Sequence, residues 1–263
     1  MTISGIRLKR KKTMLITEGI VIRERAYGES DKFADVLTKE DGVIEMSVKR
    51  ARKINGNSGS STQLFAYSKF CCTEKGSSYI FNSAEPIHIF YGLRKDYEAL
   101  ALACYFADVI RSCITPAKCR PDIMRLLLNC LSFLEEDKRP KAMLKSIFEM
   151  RLMSDIGFMP DIVGCSCCGS YEPEEAYFDM NGGRFVCGDC LAGEPDRDTI
   201  KISKYVLEAV RHIVLTDFNR LFNFRVSDKT QDVLSVLTEK YLLIHLDREF
   251  HTLNYYRSLT NIK

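Results

Sequence analysis

Residues 165–190 read CSCCGSYEPEEAYFDMNGGRFVCGDC, and this stretch determines how the second half of the chain is interpreted. It contains two C-x2-C pairs, and residues 169–186 separate the pairs, a spacing typical of four-cysteine zinc sites. Each pair turns in a tight knuckle that aims both sulfurs at one point, so two knuckles supply a tetrahedral set of thiolates. The predicted ligands are Cys165, Cys168, Cys187 and Cys190.

The residues between the pairs predict a zinc ribbon at 163–193 that holds one structural Zn²⁺. Residues 176–186 have the pattern of a β-hairpin, with its turn at Asn181-Gly182-Gly183. Four thiolates leave no open position for water, so a catalytic zinc is not expected.

Other interpretations of the cysteines stay open. The pairs could form a thiol-disulfide redox centre, or they could have lost their metal altogether. Cys167 is a fifth candidate ligand, although pairing Cys165 with Cys168 gives the standard gap and leaves Cys167 as a free thiol. The remaining six cysteines lie in or beside apolar patterns typical of core residues; these are Cys71, Cys72, Cys104, Cys113, Cys119 and Cys130.

Helical patterns flank the zinc ribbon on both sides. Apolar residues recur at helical spacing in 93–113, in 123–134 after Pro121, and in 144–152, where the pattern ends at Gly157 and Pro160. Two further helices are predicted at 203–215 and 227–245, each beginning at a serine suited to capping.

The first 90 residues instead predict short strands separated by turns. The strands are predicted at 16–25, 33–38, 44–48, 64–73 and 78–82. Five strands in about 70 residues have the count and size of an OB-fold. The predicted class is therefore α+β: an N-terminal OB-fold β-barrel followed by an α-helical domain with an inserted four-cysteine zinc ribbon.

A cationic loop joins the third and fourth predicted strands. Residues 49–53 read KRARK, and the glycine, serine and asparagine that follow are typical of a flexible loop. An OB barrel with such a loop is a common platform for single-stranded nucleic acid, where cations bind phosphates and aromatic rings stack on bases. The predicted phosphate contacts are Arg23, Arg25, Lys32, Lys49, Arg50, Arg52 and Lys53; Tyr27, Phe33 and Tyr67 are candidates for stacking, with rim or core packing as their alternative. A solvated loop that binds nothing is the alternative for the whole cluster.

Composition fits a globular protein of the cytoplasm. Hydrophobic residues make up 46% of the 263-residue chain and charged residues 28%, and no window is apolar enough to span a membrane. Net charge is only +3, but residues 1–57 contain 13 lysines and arginines against 8 acidic residues. Eleven cysteines without an export signal favour metal binding over disulfides. No nucleotide-binding loop or catalytic constellation is present, so no enzyme is expected.

With these features in order, the sequence resembles the bacterial RecO family, in its zinc-containing branch. The resemblance rests on residues 18–21 (EGIV), 27–32 (YGESDK), 37–42 (LTKEDG), the basic segment 49–53 and residues 148–152 (FEMRL). It continues through 157–160 (GFMP) and the four cysteines to Tyr241 and His245, and covers about 14–258. Two departures are visible. Residues 1–13 precede the usual family start, which suggests Met14 as the native initiator, and a short Lys-Ser element near the end is replaced by residues 248–253.

The resemblance implies a division into a basic extension (1–13), an OB-fold domain (14–90) and a helical domain with the ribbon (91–263). It also implies binding to single- and double-stranded DNA, strand annealing, and partnership with RecR and with the tail of single-stranded-DNA-binding protein. Together these proteins would load the recombinase RecA. A redox protein and a protein-interaction scaffold without DNA binding remain the alternatives.

Overall fold

A computed structural model describes residues 13–51, 57–114 and 121–260 of the chain, with the backbone alone for residues 57 and 58. Two compact units can be distinguished. Of the described residues, the first unit takes 13–90, Ile114 and 121–124, and the second takes 91–113 and 125–260.

Five strands form a closed barrel in the first unit, as the sequence predicted. They are β1 (Met14–Tyr27), β2 (Asp31–Thr38), β3 (Val43–Val48), β4 (Ala66–Lys75) and β5 (Ser78–Ile89), and a one-turn helix, α1 (Asn57–Ser60), precedes β4. Their order around the barrel is β1-β2-β3-β5-β4. Neighbouring strands are antiparallel except β3 and β5, which pair in parallel from Met46 opposite Tyr79. This parallel pairing closes the barrel.

Alternation along the strands fills the inside of the barrel. Val21, Val36, Met46 and Phe70 are all at most 1% exposed and belong to one apolar cluster. Residues at the intervening positions of β2 and β3, such as Phe33 and Glu45, point outward, because successive side chains of a strand alternate between its faces.

The second unit contains the helices and the three-stranded ribbon sheet. The helices are α2 (Tyr97–Cys113), α3 (Pro121–Glu135), whose first turn belongs to the other unit, α4 (Lys141–Asp155), α5 (Lys204–Leu215), α6 (Asp228–Leu246) and α7 (His251–Thr260). The sheet has the order β7-β6-β8, with β6 (Glu175–Asp179), β7 (Arg184–Cys187) and β8 (Thr199–Ser203). The turn between β6 and β7 lies at 180–183, where the hairpin was predicted.

Several boundaries differ from the sequence-based prediction. The first long helix starts at Tyr97 rather than at 93, because the Asp96 carboxylate accepts hydrogen bonds from the N–H groups of Glu98 (2.9 Å) and Ala99 (3.2 Å) and caps it there. β5 extends to Ile89, well beyond the predicted end at 82. Of the two serine caps, Ser227 accepts from the N–H of Thr230, whereas the side chain of Ser203 makes no capping bond.

A buried charged network lies between α2, α4 and α6. Glu149 is fully buried, and its carboxylate accepts hydrogen bonds from Tyr105 (2.8 Å), Thr238 (2.8 Å) and Lys145 (3.1 Å). Lys145 also lies 2.9 Å from Glu239. Desolvation raises the pKa of Glu149, against the opposing effect of Lys145. Because every donor and acceptor here has a partner, the network fixes how these helices pack.

None of the described helices combines the length and apolar character needed to cross a membrane.

Candidate metal centre and nucleic-acid interface

The four predicted zinc ligands come together in the ribbon. Their Sγ atoms all lie within 4.8 Å of one another, and Cys168 Sγ is 3.7 Å from Cys187 Sγ. Tetrahedral geometry with a metal–sulfur distance of about 2.3 Å requires sulfur–sulfur separations of about 3.8 Å. The donor set and its spacing therefore fit a four-thiolate metal site, with Cys165, Cys168, Cys187 and Cys190 as the residues that could hold the ion.

Backbone geometry explains how the first knuckle forms. The N–H of Gly169 donates to the carbonyl of Cys165 (2.8 Å), and Gly169 has φ = +74°, which favours glycine. A Cβ on Gly164 would lie 2.8 Å from the Gly169 carbonyl oxygen, so the chain approaches itself too closely for a side chain there. The N–H of Ser166 then donates to the Phe185 carbonyl (2.9 Å), which joins this knuckle to β7 and brings the two cysteine pairs together.

The environment of Cys165 suits a thiolate. Burial on its own would raise the pKa of this thiol, but backbone N–H groups of Cys168, Cys187 and Cys167 donate to the sulfur and lower the pKa to about 6. Cys187 N–H lies 3.3 Å from this sulfur. Cys167 is exposed and does not belong to the cluster, as the spacing argument suggested.

The other cysteines behave as core or rim residues. Cys72 and Cys130 are buried, and Cys71, Cys104 and Cys113 are half-buried. Burial raises the pKa of Cys72 and of Cys113 to about 12, so both thiols stay protonated at neutral pH. Cys119 lies outside the described residues.

Arg211 of α5 anchors the ribbon to the helices. Its Nε donates to the Ile162 carbonyl (2.8 Å), and one terminal nitrogen donates to the carbonyls of Val163 (3.2 Å) and Tyr171 (2.6 Å). The guanidinium also lies 4.0 Å from the centroid of the Tyr171 ring. Its other terminal nitrogen pairs with the Glu208 carboxylate (2.7 Å). Arg211 is only 4% exposed, so the carboxylate and the carbonyls together satisfy a buried charge that would otherwise be costly.

A second anchor comes from α6. His245 Nε2 lies 2.9 Å from the Met180 carbonyl, and the Tyr241 hydroxyl donates to the Phe158 carbonyl (3.1 Å). A Cβ on Gly183 would lie 2.7 Å from the Tyr241 oxygen, and Gly183 has φ = +59°. The hairpin turn therefore packs tightly against α6.

Sequence reasoning missed Arg211. A signal was present, because Leu207, Val210 and Val214 place Arg211 on the apolar side of an amphipathic helix. A charged residue at such a position is buried with partners or is misplaced. One partner, Glu208 at i−3, is visible in the sequence, whereas the three backbone carbonyls that also bind Arg211 leave no side-chain pattern.

The outer face of β1 and β2 carries two of the predicted stacking residues. The Tyr27 ring is 62% exposed and meets the Phe33 ring edge-on at 5.1 Å, and Arg25 lies 5.6 Å from the Phe33 centroid. Arg25 also pairs with Asp35 (3.0 Å) and Glu45 (2.5 Å), so its charge is compensated within the sheet. Arg23 is exposed, and no ion pair to it occurs in the described part of the chain.

Lys49 and Arg50 lie at the same end of the barrel as these rings. Both follow β3 directly and are exposed, and among residues 13–51, 57–114 and 121–260 neither has an ion pair within 4 Å. Arg50 N–H donates to Asp31 (2.7 Å), and Asp31 is the strand partner of Tyr27. The structure therefore places the exposed Tyr27 ring, the half-buried Phe33 ring and two exposed cations at one end of the barrel.

The remaining predicted contacts are placed differently. Lys32 is only 14% exposed at its side chain, pairs with Glu24 (2.9 Å) and donates to the Thr62 carbonyl (2.7 Å), so it is already committed to the barrel. The Tyr67 hydroxyl donates to Glu18 (2.7 Å); desolvation and this bond raise the pKa of Tyr67 to about 12. Arg52 and Lys53 lie outside the described residues.

The fold and site together define a class: an OB-type barrel joined to a helical part that carries a four-cysteine metal ribbon. Comparison with known families gives the same result. The model described as Recombination protein O N terminal matches residues 13–90, and the one described as Recombination protein O C terminal matches 94–254.

Similar proteins share most of their length with this chain. "DNA repair protein RecO" of Acetivibrio thermocellus is 32% identical over 95% of this chain and 98% of its own. The proteins of the same name from Alkaliphilus metalliredigens and Bacillus subtilis are 29% and 27% identical over 89% and 85% of this chain, and over 95% and 86% of their own lengths. The chain belongs to the RecO family of DNA repair proteins, and this membership supports a role in recombination and repair.

Proposed function

We propose that the protein is a non-enzymatic recombination mediator of the cytoplasm, associated with the nucleoid, that binds and anneals single-stranded DNA. The observation that carries this proposal is the convergence of Tyr27 and Phe33 with Lys49 and Arg50 at one end of the barrel. A strand passing this end would find rings for its bases and unpaired cations for its phosphates. Base stacking on an aromatic ring contributes roughly 1–3 kcal/mol, and phosphate contacts add a salt-dependent attraction.

Within this proposal the predicted contacts have unequal roles. Arg23, Lys49 and Arg50 are exposed and unpaired among the described residues, and are the best phosphate contacts. Arg25 positions the Phe33 ring, while Lys32 binds Glu24 and the Thr62 carbonyl within the first unit. Arg52 and Lys53 continue the same basic segment and are proposed to act with it. Binding to double-stranded DNA is proposed to use the same cations, because phosphates are common to both forms.

The metal is proposed to be one structural Zn²⁺ per chain. Four cysteine sulfurs at tetrahedral spacing are the preferred donors of zinc in structural sites, and they leave no position for a reacting water. When bound, the ion would supply folding free energy to the ribbon. The hydrogen bonds of Arg211, Tyr241 and His245 would then hold the metal-bound ribbon in a fixed position against α5 and α6.

The proposed partners are RecR, the tail of single-stranded-DNA-binding protein and, through them, RecA. Membership in the RecO family supports this proposal. For an acidic tail, the helical unit offers a cavity of about 510 Å³ whose lining includes Tyr205, His212, Phe224 and Arg225. Glu208 also lines it, but its carboxylate is paired with Arg211 (2.7 Å). Its apolar walls and exposed arginine suit a segment that combines hydrophobic and acidic residues.

The alternatives make different predictions. A thiol-disulfide enzyme needs a free reactive thiol and no stoichiometric metal, whereas the proposed site predicts one zinc per chain. A scaffold without DNA binding predicts no annealing of complementary strands. Elemental analysis decides the first alternative, and an annealing assay decides the second.

The principal test is a salt titration of binding to a single-stranded oligonucleotide. Replacing Lys49, Arg50, Arg52 and Lys53 with alanine removes up to four phosphate contacts. At roughly 0.7 per contact, the slope of log affinity against log salt should fall by about 3.

A matched quadruple variant controls for net charge. It replaces four exposed lysines away from the proposed site, namely Lys69, Lys75, Lys95 and Lys240. An equal effect of both variants would show a non-specific charge effect and would overturn the assignment.

A further inference from the structure

The helical unit carries a second surface made of three phenylalanine rings with an arginine at each end, together with Arg220 of the loop that holds two of the rings; we call it the Arg–Phe row. Arg125 of α3 lies 4.3 Å from the Phe218 ring centroid, and Arg139 lies 6.0 Å from the Phe133 centroid. Phe222 connects the two ends, 6.3 Å from Phe218 and 4.9 Å from Phe133.

Local structure holds this row in place. The loop 216–224 is built of turns in which Arg220 N–H donates to the Asp217 carbonyl (2.9 Å) and Asn223 N–H donates to the Arg220 carbonyl (2.9 Å). Arg125 donates to the Asn219 side chain (2.6 Å), which joins α3 to this loop. Phe222 is buried and anchors the row, whereas Phe133 and Phe218 are half-exposed.

The charges of the row are not compensated. Arg125 and Arg220 are exposed and Arg139 is half-exposed, and none of the three has a carboxylate within 4 Å in the described part of the chain. Arg151 also lies near Phe218, but it is paired with Asp155 (3.4 Å). Asp217 is the one acidic residue of the loop 216–224.

We infer that the Arg–Phe row is a second contact surface for single-stranded nucleic acid. Arginine is the side chain whose planar cation both binds phosphate through two donors and stacks on bases. Rings between the arginines provide the stacking surface that single-strand-binding proteins use with any sequence. Two half-exposed rings and three cations are spread along the row rather than gathered in one socket, which favours a strand over an acidic peptide. This inference rests on the proposed DNA-binding function and adds a site to it.

The test uses the full-length protein and a fluorescent 30-nucleotide oligo(dT). Replacing Arg125, Arg139 and Arg220 with glutamine removes up to three phosphate contacts, so the slope of log affinity against log salt should fall by about 2. That change corresponds to a roughly 16-fold smaller loss of affinity between 50 and 200 mM salt. The control variant, Lys95→Gln/Lys240→Gln/Arg248→Gln, removes the same charge elsewhere in this unit and should change the slope much less.

Two further measurements distinguish the possible outcomes: DNA binding by the alanine variant of residues 49–53, and binding of an acidic peptide. If the row variant and its control behave alike while the alanine variant of residues 49–53 loses its salt dependence, the row is overturned and the proposed function stands. If none of the proteins binds oligo(dT), both fail. A hexaglutamate peptide that loses binding in the row variant, with DNA binding intact, would assign the row to acidic peptides instead and refute the inference.

Cross-linking tests the inference in the unmodified protein, even if the triple variant does not fold. An oligonucleotide containing 4-thiothymine should cross-link to the tryptic peptide 212–220, which contains Phe218. Cross-links confined to the barrel would overturn the inference.

Discussion

Replacing one cysteine of the cluster with serine should show whether folding of the ribbon depends on a bound metal. Cys165→Ser removes a buried ligand from the cluster, whereas Cys167→Ser changes an exposed thiol two residues away that is outside it. Structural zinc contributes roughly 10–16 kcal/mol of apparent binding free energy in small zinc-finger peptides, while whole domains are stable by only about 5–15 kcal/mol. The ribbon buries few large side chains of its own, chiefly Phe178 and Phe185. It should therefore unfold once the metal is lost.

The expected results differ clearly between the two variants. Cys165→Ser should lose its stoichiometric zinc on dialysis against a chelator and should show fast amide hydrogen exchange in β6 and β7. The helices have a core of their own, so their far-ultraviolet circular dichroism should largely persist. If the metal contributes even about 3 kcal/mol to the unit as a whole, Tm should fall by roughly 6–12 °C. Cys167→Ser should retain both metal and Tm. Full zinc occupancy in Cys165→Ser, or loss of zinc in Cys167→Ser, would refute the assignment of ligands.

Three other substitutions test the packing and the barrel site. Tyr27→Ala should weaken oligonucleotide binding by roughly 1–3 kcal/mol without lowering Tm, because the ring is largely exposed; an unchanged Kd would argue against stacking. Lys145→Met leaves the buried Glu149 without its cation, and urea denaturation should show a loss of roughly 3–5 kcal/mol, with a loss below 1 kcal/mol contradicting the network. Gly183→Ala places a methyl group against Tyr241 at positive φ and should cost about 1–3 kcal/mol, measured by the same denaturation.

The barrel strands could be predicted because their signals are local. Alternation of Ile44, Met46 and Val48 with polar residues sets the inner face of β3, and the observed burial follows it. The parallel pairing of β3 with β5 could not be predicted, because it depends on contacts between residues far apart in sequence. The extension of β5 to Ile89 was missed because most of its side chains are partly exposed, which leaves no clean alternation.

The spacing of the cysteines was sufficient to predict which four of them come together in the ribbon. The third ribbon strand, β8, was missed because Thr199–Ser203 has only five residues and follows a loop, 191–198, that contains four charged residues and a proline. Helix α7 was missed for a similar reason, since Leu253 and Tyr256 are its only buried residues. Short elements with one or two apolar residues are specified by the neighbours they pack against.

The anchoring of the ribbon through Arg211 has a consequence for how this protein can diverge. Apart from the Glu208 carboxylate, the groups that the guanidinium binds are main-chain oxygens, which every amino acid carries. Position 163 is exposed and is therefore free to change without losing its bond, provided the chain keeps its path, whereas Ile162 is also constrained by its burial in the core. Position 211 has no such freedom, because a lysine has a single nitrogen and cannot reach three separated acceptors at once. We expect drift at the exposed accepting position 163 and a fixed arginine at position 211.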